Sequence, residues 1–130
     1  MKPTILLIED DDDDAFIFKE VLREVFSHCI LHHVHNGLEG IRLLRNLNPA
    51  FPAAIILDWN MPIMSGKEFL FIKRGEENLK EIPTFVFTTA TDNFTKEDAI
   101  NSGASGFYSK PSNIKELESL MHEMLFSTIK

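Results

Sequence analysis

Six carboxylates, Glu9 to Asp14, follow one another directly behind four apolar residues in the segment ILLIEDDDDDAF. Two unit charges about 4 Å apart repel by about 4 kcal/mol at an effective dielectric near ~20. Such a run needs either a cation among its members or water around most of them. A lone Asp58 closes a second apolar run, AAIILD; Thr88 ends a third, TFVFT; and Lys110-Pro111 follows a fourth, GFYS. Together these are the groups that a hard cation and a phosphoryl group require. Mg²⁺ takes carboxylate, carbonyl and water oxygens in an octahedron. A carboxylate can attack phosphorus to give an acyl phosphate, while an ammonium and a hydroxyl hold the phosphoryl oxygens. Singly, each residue has a plainer explanation: a helix-end charge, a turn aspartate, a β-forming threonine, a loop lysine. The chemistry exists only if the fold brings them together.

The elements that would do so are legible as alternating short apolar runs and longer helical patterns. Thr4–Ile8 is a continuous apolar run, as in a strand covered on both faces. A helix is predicted from about Asp12 to Phe26, its apolar face marked by Phe16, Val21, Leu22, Val25 and Phe26. Ile30–His35 reads as a second, more polar strand. Asn36-Gly37-Leu38-Glu39 has capping-box spacing and opens a helix carrying Leu38, Ile41, Leu44 and Leu47, which Pro49 ends. Ala53–Leu57 is a buried-type strand, and Ser65-Gly66-Lys67-Glu68 a second capping box before EFLFIK. Pro83 precedes the strand Thr84–Thr88. Thr95-Lys96-Glu97-Asp98 marks a helix start with Gly103 as its stop, a short strand follows at Gly106–Ser109, and a last helix spans about Ser112 to Phe126.

Strict alternation of five strands and five helices predicts a parallel sheet covered on both faces, joined by right-handed crossovers. Ligands of such sheets bind beyond the carboxyl ends of the strands. That edge collects Glu9 and Asp10; His35 and Asn36; Asp58, Trp59 and Asn60; Thr88 and Thr89; and Lys110 with Pro111. Glu9 and Asp10 end a buried strand and are expected to look into the crevice. Asp11 to Asp14 begin a helix, where carboxylates favour the positive end of the dipole, and are expected to face solvent.

With 130 residues, 44% of them hydrophobic, the chain suits one α/β domain over 1–130. A net charge of −7 argues against a nucleic-acid surface. One cysteine, Cys29, excludes an internal disulfide and fits a reducing, cytoplasmic setting. Four apolar residues before Glu9 are too few for a signal-peptide core, and no segment approaches the roughly 20 apolar residues of a membrane span.

The segments ILLIEDD, IILDWNMPIMSG, FVFTTA and GASGFYSKP, in that order, resemble the response-regulator receiver domain of bacterial two-component signalling, the CheY-like family. The resemblance covers about Thr4 to Phe126, and LDWNMPxMxG together with SKP is highly specific. It implies a flavodoxin-like open sheet of strand order 2-1-3-4-5. Asp58 would be the phosphoacceptor, charged by a sensor histidine kinase or a histidine phosphotransfer protein. Glu9, Asp10, Asp58 and the backbone carbonyl of Asn60 would hold Mg²⁺, with Mn²⁺ as a substitute. Thr88 and Lys110 would bind the phosphoryl group, Phe107 would be the aromatic switch in place of Tyr, and the bond before Pro111 would be cis. Thr89, bulkier than the residue many relatives carry, would slow water attack on the acyl phosphate. With nothing after the last helix, the chain is expected to be a stand-alone receiver without an output module; the resemblance implies output through a protein target or a homodimer at the 92–130 face, and Phe94, at the start of the fourth helix, is a candidate exposed docking residue.

Other readings are weaker. HCILHHVH places Cys29 among His28, His32, His33 and His35, but alternation along a strand puts only His33 and His35 on one face. Two ligands do not make a tetrahedral site, so the segment reads as a polar edge strand. An aspartyl phosphatase with Asp10-Asp11-Asp12 as its D-x-D motif would want Thr or Val at position 14, where Asp stands, and an acidic pair beyond Lys110. A flavin carrier would want hydroxyls and glycines where the six acids repel phosphate. A degenerate receiver that binds partners without phosphorylation would need none of the five site positions, all of which are present.

Overall fold

The computed structural model describes residues 2–90 and 92–129. Strands β1 (Thr4–Ile8), β2 (Ile30–Val34), β3 (Ala54–Leu57), β4 (Thr84–Thr88) and β5 (Gly106–Ser109) alternate with helices α1 (Asp12–Val25), α2 (Gly37–Leu47), α3 (Gly66–Arg74), α4 (Asn93–Asn101) and α5 (Ile114–Ile129). All strand pairs are parallel, in the order β2-β1-β3-β4-β5. The chain starts in the middle of the sheet and reverses direction between β1 and β3, so a crevice opens where those two strands end.

The pleat divides the core. Ile5, Leu7, Ala54, Ile56, Phe85 and Phe87 point to one face and pack under α1 and α5. Leu6, Ile8, Ile55, Leu57 and Val86 point to the other, under α2, α3 and α4. Burial on both faces is why β1, β3 and β4 read as unbroken apolar runs, and why β2, at the sheet edge, stays polar.

Helix starts are set by side-chain caps, which take up otherwise unpaired N–H groups. Asp11 accepts from the Asp14 N–H, Asn36 from the Glu39 N–H, and Ser65 and Glu68 form a full capping box. The α4 start differs from expectation. Asp92 is its cap and Thr95 donates to it through both N–H and hydroxyl, so the helix begins two residues ahead of Thr95. In α1 the inward face is Ala15, Phe18, Val21 and Leu22, and Phe16 stands 63% exposed. The apolar pattern predicts Phe16 inside; a small alanine, Ala15, holds that place instead, letting the helix sit close to the sheet. The cis proline bond among the described residues is Asn48–Pro49, not the bond before Pro111.

Candidate functional site

Continuing each pleat one step past its strand places Glu9, Asp58 and Lys110 on the α1/α5 side of the sheet. The distances agree. Lys110 Nζ lies 2.7 Å from Glu9 Oε1 and 3.7 Å from Asp58 Oδ2. Asp58 is oriented by its own loop: the Trp59 N–H donates to Oδ1 at 2.8 Å, leaving Oδ2 to face the lysine. That loop turns back on itself, and the Gly66 N–H donates to the Trp59 carbonyl at 2.9 Å. A β-carbon at Gly66 would stand 2.8 Å from the Asp58 carbonyl oxygen and 2.8 Å from the Trp59 ring, so only glycine permits this approach. The Asp58 N–H in turn donates to the Ile8 carbonyl at 3.0 Å, which ties the aspartate to the end of β1.

Asp10 is exposed at the rim, yet one of its carboxylate oxygens lies within 4.8 Å of oxygens of both Glu9 and Asp58. Asp14 contributes a further carboxylate, its Oδ2 2.9 Å from Lys110 Nζ. The sequence predicts Asp14 in solvent with Asp11 to Asp13. The structure turns it inward, because Asp11 caps α1 and Asp14, three residues on, falls on the turn that overhangs the crevice. Its spacing from the cap was the signal available. The charge run is thus accommodated by several means: Glu9 and Asp14 on Lys110, Asp12 on His35 at 2.7 Å, and Asp11 on a backbone amide.

The electrostatics follow from one ammonium serving several carboxylates. Burial drives the Glu9 carboxyl up to about 7; the Lys110 hydrogen bond pulls it down and the neighbouring Asp58 charge pushes it up again. Burial works against the Lys110 ammonium, but its bonds to Glu9 and Asp14 outweigh that and hold it above the ordinary lysine range. An excess of negative charge around one cation, with Asp10 on the open side, is a donor set that fits a divalent ion bound by oxygen.

The opposite face of the same edge carries Thr88 and Phe107. Thr88 is buried, and its hydroxyl has no hydrogen-bond partner among the described residues. The Lys110 N–H donates to the Thr88 carbonyl at 2.8 Å, so the hydroxyl and the lysine hang from one rung of the sheet. Phe107 is half-buried against the core under α4, whereas its neighbour Tyr108 packs on the other side against Phe85. Thr89 and Asn60 are exposed at the crevice edge. Phe94 is 79% exposed on the first turn of α4.

A family model described as "Response regulator receiver domain" matches residues 5–122. Hybrid signal transduction histidine kinase G of Dictyostelium discoideum is 31% identical over 114 residues, covering 87% of this chain and 3% of that protein. Sensor histidine kinase CheAY of Helicobacter pylori is 29% identical over 107 residues, covering 82% and 13%. The chain therefore spans only a small part of the length of these curated relatives. Among solved structures, the Mn²⁺-bound form of response regulator Rcp1 superposes with a TM-score of 0.85 at 25% identity, covering 98% of this chain and 99% of that one. The phosphorylated cyanobacterial phytochrome response regulator RcpA shares the fold with a TM-score of 0.87 at 23% identity, covering 98% and 96%. Because the matched region runs from β1 into α5 and takes in every residue of the carboxylate–lysine cluster, the chain belongs to the response regulator receiver domains, the CheY-like phosphoacceptor modules of two-component signalling.

Proposed function

We propose that Asp58 is the phosphoacceptor and that the reaction depends on Mg²⁺, with Mn²⁺ able to substitute. The observation that carries this reading is the convergence of Glu9, Asp10 and Asp58 oxygens within 4.8 Å, with Lys110 Nζ 3.7 Å from the Asp58 oxygen left free by the loop. Asp58 Oδ2 attacks phosphorus, the nitrogen–phosphorus bond of a kinase or phosphotransfer-protein phosphohistidine breaks, and an acyl phosphate forms. Glu9, Asp10, Asp58 and the Asn60 carbonyl would hold the divalent ion, which when bound neutralises charge on the phosphoryl oxygens. Lys110 pairs with one phosphoryl oxygen. The Thr88 hydroxyl, buried without a partner, has its hydrogen to give to another.

Phosphorylation adds about −1.5 to −2 charges to this edge. Movement of Thr88 toward that charge vacates space on the α4 side of the sheet, and Phe107, already half-buried there, turns into it. The change is read by a protein target or a second receiver at the 92–130 face, where Phe94 is exposed. Among the described residues no helix is long and apolar enough to cross a membrane.

Acetyl-phosphate labelling of wild type and Asp58→Asn, with and without Mg²⁺, tests the assignment. The expected label shows the lability of an acyl phosphate to alkali and to hydroxylamine, requires Mg²⁺ and is absent from Asp58→Asn. An Asp58-independent label, or none on wild type, contradicts it.

A further inference from the structure

Beside the phosphoacceptor crevice, and sharing no ligand with it, His33, His35 and Asp12 form a second convergence. One ring nitrogen of each histidine and one oxygen of Asp12 lie within 4.8 Å of one another. The geometry points to a site for a divalent transition ion of the zinc class, held by two imidazoles and one carboxylate with the remaining positions open to water.

The sequence offers only half of it. Alternation along β2 puts His33 and the residue just past its end, His35, on one face, and their rings stand 4.5 Å apart. The third donor comes from the first turn of α1, which the β1–α1 connection lays across the edge strand. His35 Nε2 and Asp12 Oδ1 are already 2.7 Å apart. In a tetrahedral zinc site, bonds of about 2.0–2.1 Å set neighbouring ligand atoms about 3.3 Å apart. Adjustments on the order of an ångström would therefore close the set, and Asp12 and His35, both largely exposed, are free to make them.

His33 is also backed in the way a metal-binding histidine usually is, by an acceptor for the ring nitrogen not used on the metal, and His35 has a carboxylate near its second nitrogen. His33 Nε2 lies 2.9 Å from the Glu9 carbonyl; donating there leaves the Nδ1 lone pair for an ion. His35 Nδ1 has the Glu39 carboxylate 3.9 Å away, and Glu39 is itself fixed by accepting from the His35 N–H at 3.1 Å. A cleft of about 230 Å³ opens beside Asp12 and His33, room for water to complete the coordination shell. Imidazole donors select against Mg²⁺, which prefers oxygen, so the two sites sort ions by ligand chemistry.

The test is Zn²⁺ binding to the whole chain in a large excess of Mg²⁺, by titration calorimetry, with circular dichroism confirming that each variant is folded. Wild type and Asp58→Asn are expected to take up one Zn²⁺ with the same affinity. His33→Ala, His35→Ala and Asp12→Asn are expected to bind it at least about tenfold more weakly, and His32→Ala as wild type does. With Cu²⁺ as probe, electron paramagnetic resonance should show two coordinated imidazole nitrogens in wild type and one in either single-histidine variant. Absence of Zn²⁺ uptake by wild type, unchanged affinity in the three ligand variants, or loss of binding in Asp58→Asn would overturn the assignment. Because Asp58→Asn serves as a binding-competent control, the outcome is independent of whether Asp58 accepts a phosphoryl group.

Discussion

Lys110 and Asp14, 96 residues apart in sequence, are joined by a 2.9 Å ion pair between the end of β5 and the first turn of α1. The pair divides the lysine between the rim and the buried carboxylates. Asp14→Asn removes one negative charge from the path of an incoming phosphodonor and leaves Lys110 to Glu9 and Asp58. Asp14 is partly exposed, so both effects are screened. The initial rate of acetyl-phosphate labelling at fixed Mg²⁺ should rise about threefold, with stability altered by less than about 1 kcal/mol. A tenfold slower rate would show instead that Asp14 holds Lys110 in its productive place.

The buried Glu9 makes the stability of the metal-free protein depend on pH. Its carboxyl ionises near 4.5 in the unfolded chain and near 7 in the folded one. Between those values the folded state keeps a proton that the unfolded state has released, so stability falls as pH rises from 4.5 to 7 and levels off above. At about 1.4 kcal/mol per pH unit, wild type should lose on the order of 2–3 kcal/mol relative to Glu9→Gln across that window. Urea denaturation of both proteins in chelator measures the difference. A difference that stays flat would mean Glu9 ionises at its ordinary pH.

Thr88→Val replaces an unpartnered buried hydroxyl by a methyl group of the same shape. An unsatisfied buried polar group costs about 1–3 kcal/mol, so the unphosphorylated valine variant should be more stable than wild type by about 1 kcal/mol. It should still take label on Asp58 but lose the phosphorylation-dependent NMR shifts of Phe107 and α4. Retention of those shifts would remove Thr88 from the switch.

Thr89 stands exposed one residue beyond the end of β4, on the edge that carries Asp58. Trimming it to alanine opens the approach of water to the acyl phosphate. Thr89→Ala should shorten the lifetime of the label about fivefold, an effect of about 1 kcal/mol on the barrier. If the release of inorganic phosphate proceeds at the wild-type rate, the side chain is not a gate.

Gly66 tests how closely the loop after β3 is built. Gly66→Ala pushes a methyl group against the Asp58 carbonyl and the Trp59 ring, and should destabilise the fold by about 1–3 kcal/mol. Because the Asp58 backbone is one of the atoms displaced, the labelling rate should fall too. Equal stability and equal labelling would show that the loop yields without cost.

Much of this organisation can be read directly from residue types. Two-sided burial made β1, β3 and β4 recognisable, and the pleat carried one step further puts Glu9, Asp58 and Lys110 on one side. What escaped reading depends on the placement of helices against the sheet. Phe16 is apolar yet exposed, because Ala15 decides how α1 lies. Asp14 turns inward because it stands three residues past the Asp11 cap, and Asp12 reaches His35 because α1 begins over the edge strand. The sequence predicts the α4 start at Thr95; Asp92 is the cap instead, and Thr95 donates to it.

The distribution of the crevice residues along the chain also fixes when it can be completed during synthesis. Glu9, Asp10, Asp14 and Asp58 all leave the ribosome before Lys110, which follows the edge strand β5. A nascent polypeptide made as far as Gly103 thus carries the whole acidic group without Lys110 to balance it. Protonation and dissolved cations can relieve its repulsion until translation of the segment that carries Lys110 supplies the internal counter-charge.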